Sequence, residues 1–214
     1  MAVTATTSIY YTYMKSRKEI NLLADDIRAA LMDENFVFDR DKHRVWTAPY
    51  WSGETSYISG ELLIPTSPNG YVYAATADGI SGSGEPDSWP TTFGSTTKDS
   101  NDLEYMCWSY ETACNEISSS GEYSNLQLTL SGEDAGQYLD ETNGLSYVHF
   151  DNIRFEASGE SFEETFGSVI FDNTAKNKPV MVGIGFDTSY TITAGNHLEL
   201  QEPQFEDETK QTTI

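Results

Sequence analysis

The most regular alternation of apolar and polar positions lies near the C-terminal end, in the stretch Ser168 to Leu200. It predicts three strands, Ser168 to Phe171, Pro179 to Phe186 and His197 to Leu200. They are separated by turn residues at Asp172-Asn173, Lys176-Asn177-Lys178 and Ala194-Gly195-Asn196. Val180, Val182, Ile184 and Phe186 fall on one side of a pleated strand, with Met181, Gly183, Gly185 and Asp187 on the other. The two glycines thin that second face, so another backbone or a second subunit is expected to approach there.

Earlier in the chain the alternation returns in shorter pieces. Tyr57 to Ile64, Tyr71 to Thr76 and Glu104 to Ser109 read as strands, and turn signals stand at 67–70 (SPNG), 77–79 (ADG) and 81–86 (SGSGEP). Leu126, Leu128 and Leu130 alternate with polar residues. Tyr147 to Phe155 reads as one strand carrying a bulge. Residues 26–33 fit both a helix (Ile27, Ala30, Leu31) and a strand (Ile27, Ala29, Leu31), and periodicity alone leaves the choice open. Ser8 to Lys18 has apolar spacing that predicts a short helix, ending in the basic group Lys15, Arg17, Lys18. Met1 to Thr7 is small and polar, an expected arm or frayed end. Gln201 to Ile214 is acidic and aperiodic.

The fold class expected is all-β with minor α: an antiparallel β-sandwich, jelly-roll-like, with a short N-terminal helical segment and an inserted small β module. The organisation predicted is an N-terminal arm and first strands over 1–45, an aromatic and Gly-rich β module over 46–110, the remainder of the sandwich over 111–200, and an acidic tail over 201–214.

Composition sharpens this picture. The aromatic share of 13% argues for a folded chain, because disordered chains are poor in aromatics. With 34 acidic against 12 basic residues the formal charge is −22, and no basic stripe interrupts it; a nucleic-acid partner is not expected. Such acidity fits solubility or docking on a basic surface. No run of about 18 apolar residues is present and the first residues lack a signal-peptide pattern, so no membrane partner is expected and the product is expected to stay where it is made. Cys107 and Cys114 are too few for a disulfide framework and lack the His spacing of a zinc site, so no metal and no cofactor are expected.

The aromatic residues Trp51, Tyr57, Tyr71, Tyr73, Trp89 and Trp108 raise one binding chemistry. Pyranose rings stack their C–H faces on aromatic rings, and Trp51, Tyr57, Tyr73 and Trp89 form the expected carbohydrate platform. The structural reading competes with it, because aromatics also have to build the core of a small module poor in aliphatics. His43, His149 and His197 stand in separate segments, and the carboxylate pairs match no calcium loop. No G-x-S-x-G, P-loop or H-E-x-x-H motif occurs, so no catalytic residue is assigned.

Trp51, Ser56-Tyr57, Gly60, Gly70-Tyr71-Val72-Tyr73, Glu85-Pro86 and Trp89 resemble the aromatic and glycine pattern of small chitin-binding-type carbohydrate modules. A longer series resembles a pattern in structural proteins of tailed bacteriophages: Pro65, Asn69-Gly70-Tyr71, Tyr73, Thr76, Gly79, Ser81-Gly82, Glu85-Pro86, Trp89-Pro90, Gly94, Asp99 and Trp108. Asp25 to Asp33 followed by Phe36 to His43 is similar to the opening of small phage virion proteins, where a strand follows, with Phe36 where that pattern has Tyr. Lys178-Pro179-Val180 and Thr191 to Gly195 resemble their closing sheet. The resemblance selects the strand for 26–33. It implies a non-enzymatic virion component, a capsid decoration or cement protein assembled in the host cytoplasm. Its expected partners are the major capsid protein and copies of itself, in a small homo-oligomer such as a trimer. Ile9, Tyr10, Tyr13, Lys15, Arg17 and Lys18 are the expected capsid or subunit contacts. The alternative is a tail or fibre adhesion protein that binds a host surface glycan through the 46–110 module.

Overall fold

A computed structural model describes residues 3–7, 19–111, 116–117, 123–130, 137–140, 145–175, 177–201 and 204–206 of the chain. Among these the fold is all-β, with no helix. The helix expected over Ser8 to Lys18 lies outside the described residues, as do Ile9, Tyr10, Tyr13, Lys15, Arg17, Lys18 and Cys114. The first strands are β1 (Val3–Thr7), β2 (Ile27–Met32), β3 (His43–Val45), β4 (Ser56–Tyr57), β5 (Leu62–Leu63), β6 (Tyr71–Ala75), β7 (Gly79–Ile80), β8 (Thr96–Lys98) and β9 (Glu104–Glu111). They are followed by β10 (Leu126–Gln127), β11 (Gln137–Asp140), β12 (Leu145–His149), β13 (Ile153–Ala157), β14 (Glu164–Asp172), β15 (Val180–Thr191), β16 (Asn196–Leu200) and β17 (Gln204–Glu206).

The main sheet runs β1-β15-β14-β2-β10, every neighbour antiparallel. Strand β2 takes the alternation that puts Ile27, Ala29 and Leu31 on one face. That face, with Ile170 and Met181, packs on Val148 and Phe150 near β12 and on Ile153, Phe155, Leu198 and Leu200 of the β13-β16 pair. Two sheets that each bury an apolar face against the other make a sandwich. Each fully buried side chain of Phe or Leu size contributes about 1.5–3 kcal/mol.

The opposite face of the main sheet is also covered. Ala30, Met32, Val169, Phe171 and Val180 form a second cluster with Trp46, and Phe36 and Phe38 pack against it. Here the thin face of β15 finds its neighbour. A carbon added to Gly183 would lie 2.2 Å from the Phe38 ring, whereas Gly185 opens on empty space. The close approach expected at the glycines is therefore filled at Gly183 by a side chain of the same chain.

Several expectations are corrected. Val180 does not share a face with Val182, Ile184 and Phe186. The register steps from Ile170↔Val182 to Phe171↔Val180, which leaves Met181 as a bulge. Met181 therefore packs in the sandwich core with Val182, Ile184 and Phe186, while Val180 turns to the other cluster. Tyr147 to Phe155 is not one strand: it breaks at Asp151-Asn152, and β12 and β13 belong to different sheets. The 57–64 run divides into β4 and β5, which also lie in different sheets, with a turn closed by Glu61 N–H donating to the Ile58 carbonyl at 3.0 Å. Residues 3–7, read as an arm, form the edge strand β1, paired to β15 from Val3↔Phe186 to Thr7↔Val182.

The module sheet runs β3-β9-β6-β5, with β8 added to β9 and the small β4-β7 pair beside it. Strand β3 joins it to the main sheet. It pairs in parallel with β9 and bridges Val45 to Pro179, just before β15. Trp46 N–H donates to the Lys178 carbonyl at 2.8 Å, and the Trp46 ring stacks on Phe171 at 4.3 Å with planes 7° apart. From there a run of rings crosses the seam: Phe38 on His43 at 5.6 Å, His43 on Tyr110 at 4.9 Å, and Tyr110 on Tyr71 at 5.3 Å.

Candidate functional site

The aromatic module is the region the sequence singles out for binding. Its central strand β9 faces one way with Tyr105 and Cys107, and β6 with Tyr73. Together with Trp51, Tyr57, Leu63, Ala75 and Leu103 they make one cluster, while Val72, Ala74, Leu62, Ile64, Val45 and Ala48 make another. A register shift between Val72↔Ser109 and Tyr73↔Cys107 leaves Trp108 as a bulge. Trp108 packs on the second cluster, under the Arg44 guanidinium 5.1 Å from its ring.

Of the expected sugar-platform residues, Trp51 is 8% exposed, Tyr57 4% and Tyr73 0%. None of the three offers a ring face to solvent, because the module has few other side chains large enough to fill its interior. Their polar tips are bonded inward. Trp51 Nε1–H donates to Tyr105 Oη at 3.2 Å, and Tyr105 O–H donates to Asp99 Oδ2 at 2.9 Å. Tyr57 Oη accepts from Ser52 N–H at 2.8 Å. Tyr73 O–H donates to the Pro90 carbonyl at 3.0 Å and its oxygen accepts from Asn69 Nδ2 at 2.8 Å. Burial pushes the Tyr73 hydroxyl up to about 12 and raises that of Tyr105 further, so both stay protonated donors. Trp89 is half-buried. Its Nε1–H donates to Glu85 Oε1 at 3.0 Å, and its ring lies 4.5 Å from Tyr73 and 5.5 Å from Tyr105, tilted to both.

Asp99, Gly82, Glu85 and Ser81 of the motif series brace the loops around this cluster. Buried Asp99 accepts four bonds: Oδ1 from the N–H groups of Asn101 (2.9 Å) and Leu103 (3.2 Å), and Oδ2 from Gly82 N–H (3.0 Å) and Tyr105 O–H. A side chain at Gly82 would meet Ser100 Oγ at 2.1 Å and Asn101 N at 2.7 Å. Glu85 accepts from Thr66 N–H at 2.9 Å and from its hydroxyl, tying the 81–90 loop to the end of β5. Ser81 Oγ donates to the Ser52 carbonyl at 2.8 Å. These residues hold turns and loops against the sheet.

What faces outward is different. Tyr71, Phe93 and Tyr110 form a half-exposed aromatic triangle with ring separations of 5.1–6.0 Å, and Lys42 Nζ stands over two of its rings. Tyr50, Ile58 and Ile80 are exposed. Tyr71 belongs to the sequence pattern. Phe93, Tyr110 and Lys42 carry no motif, and only their convergence in space marks them.

The three histidines sit on three different sheets, at β3, β12 and β16. Burial lowers the His43 pKa and keeps its ring neutral, with Nδ1 accepting from Asp39 N–H at 2.9 Å. Cys107 is buried without a disulfide, and burial pushes its thiol up to about 11. Among the described residues no group of three or more His, Cys, Asp or Glu side chains is arranged to hold a metal ion. Comparison with protein families, curated proteins and solved structures returns no match to this chain.

Proposed function

We propose that the chain is a non-enzymatic structural protein of a virion, a decoration protein seated on a major capsid lattice and repeated there as a small homo-oligomer. The observation that carries this reading is where the motif residues are used. Trp51, Tyr57 and Tyr73 are buried with their polar tips bonded and Asp99 ties Tyr105 to the neighbouring loop, a use of the motif residues that favours packing over a glycan platform. Strand β1, at the edge of the main sheet among the described residues, supports the same reading, because strand edges offer a ready backbone ladder to neighbouring subunits in an assembly. The charge of −22 suits a particle exterior that must stay dispersed.

The test is to locate the protein on purified particles by cryo-electron microscopy or by labelling. Regular density over the whole shell is the expected result. Density confined to the tail or its fibres overturns the decoration role and brings back the adhesion reading, with Trp89 as the first residue to substitute.

A further inference from the structure

Asp172 ends β14 with a side chain that is 0% exposed. It lies across from Ile27 in the register, so its carboxyl sits on the sandwich-core side of the sheet. Oδ1 accepts the N–H groups of Thr174 (2.8 Å) and Ala175 (2.9 Å); Oδ2, equally buried, receives no donor. Asn173 N–H donates to the Asp26 carbonyl at 2.8 Å and Asp26 N–H to Thr174 Oγ1 at 2.8 Å, which brings the strand end against the turn leading into β2, where a second carboxyl, Asp25, is close enough to act on Asp172. Asp25 is itself fixed, Oδ2 accepting Asn21 N–H at 2.5 Å. Two ionised carboxylates have no hydrogen to place between them, and one proton supplies it.

We propose that a proton carried by Asp172 Oδ2 and donated to Asp25 acts as a pH-sensitive latch that fastens residues 19–26 to the end of β14. With the proton present, an O–H···O bond joins the turn to the strand and satisfies the buried Oδ2. Without it, the buried Asp172 charge faces the Asp25 carboxyl and the turn is left to its Asp26 contacts with Asn173 and Thr174. That turn carries Ile20 and Leu22 into the sandwich core, so opening the latch exposes one edge of the core.

The surrounding charges do not replace the proton. Asp26 and Arg28 pair with each other at 2.8 Å, and Asn173 Nδ2 donates to Asp26 Oδ2 at 2.8 Å. Lys178 acts on Asp26, and Asp172 is in no ion pair among the described residues. Burial first, and the Asp25 charge with it, pushes Asp172 up to about 6. The sign follows from a folded-state pKa raised above the unfolded one. The stabilisation is fully present below the ordinary Asp range near 4 and is lost as pH rises through about 6.

The test is amide hydrogen exchange of residues 19–26 and 173–175 at pH 5 and pH 8, corrected for intrinsic rates. Protection is expected to fall about tenfold from pH 5 to pH 8 in the natural chain. It is expected to be flat in Asp172→Asn, whose amide keeps the Oδ1 acceptor and adds a permanent N–H donor toward Asp25. Asp25→Asn makes the same exchange from the other side and carries the test where Asp172→Asn fails to fold. Protection in the natural chain that does not change with pH overturns the proposal, as does a fall that persists in both variants. Millimolar Ca²⁺ restoring protection at pH 8 in the natural chain, and not in the variants, also overturns it and makes the pair a cation site.

Discussion

The two cohesive parts of this chain use different materials. The sandwich between the main sheet and the β13-β16 pair is held mainly by apolar contact, with Phe150, Phe155, Ile27, Leu31, Ile170 and Met181 fully or nearly fully buried. Its one hydrogen-bonding tip among the described buried residues of the cluster is Tyr123, which accepts Leu31 N–H at 2.8 Å and donates to Glu116 Oε1 at 3.0 Å. The module is held by Trp51, Tyr57, Tyr73 and Tyr105, whose tips thread into a network through Asp99, Asn69 and the Ser52 and Pro90 backbone. A small sheet with short strands gains area fastest from aromatic side chains, but each polar tip then needs a partner. The sandwich is therefore sensitive to lost volume and the module to lost partners.

The largest effect tests the first half of that statement. Phe155→Ala, at a position 1% exposed, is expected to cost about 3–5 kcal/mol, read from the denaturant midpoint. A loss below about 1 kcal/mol at this site would mean that the sandwich does not depend on close packing there. Asp99→Ala tests the second half. It removes the acceptor for four bonds and strands the N–H groups of Gly82 and Leu103, at an expected cost of about 2–4 kcal/mol. Tyr105→Phe, which removes one O–H, is expected to cost about 1–2 kcal/mol. The double variant should lose less than the sum, because the two residues share a bond. Full additivity would break the network into independent contacts.

The seam between the parts supplies a matched pair of smaller size. Gly183→Ala drives a methyl into the Phe38 ring and is expected to cost about 1–3 kcal/mol. Gly185→Ala, two residues along the same strand, meets nothing within 4 Å and should stay within about 0.5 kcal/mol of the natural chain. Equal losses at the two positions would show that glycine is needed for the backbone of β15 rather than for the close ring.

The sequence made much of this legible where one rule governed one residue. The run from Glu104 lies where β9 forms. The all-β class follows from the same alternation. Ile27, Ala29 and Leu31 do pack on one face of a strand, but their spacing fitted a helix as well and did not decide it. Met181 was not legible as a bulge, because Val, Met and Val are apolar on either side and only the partner strand decides the register. Nor was the break at Asp151-Asn152, where the chain changes sheets without a glycine or proline to mark it. In the module, the positions that stood out were right as a set and ambiguous as to purpose. An aromatic ring at 51, 57 or 73 serves a sugar or a core equally well until its burial is known, and all three turn inward. Asp172 looked like turn material; nothing local tells that its side chain is fully buried opposite Ile27, well over a hundred residues away.

The remaining question is whether the two parts open together, and Cys107 can answer it with almost no perturbation. In a Cys114→Ser background it is the sole thiol. It sits in the module cluster, and burial holds it almost wholly as the unreactive thiol at pH 8. A disulfide reagent therefore labels it only through opening of the module, so the labelling rate reports that opening directly. Asp99→Ala is expected to speed labelling about a hundredfold, in line with its loss of stability. Phe155→Ala is expected to change it only a fewfold, because the sandwich and module clusters share no residue. Equal acceleration by both would mean that the β3 and Trp46 seam makes the chain one cooperative unit. The two kinds of core would then differ in how they are built and not in when they fail.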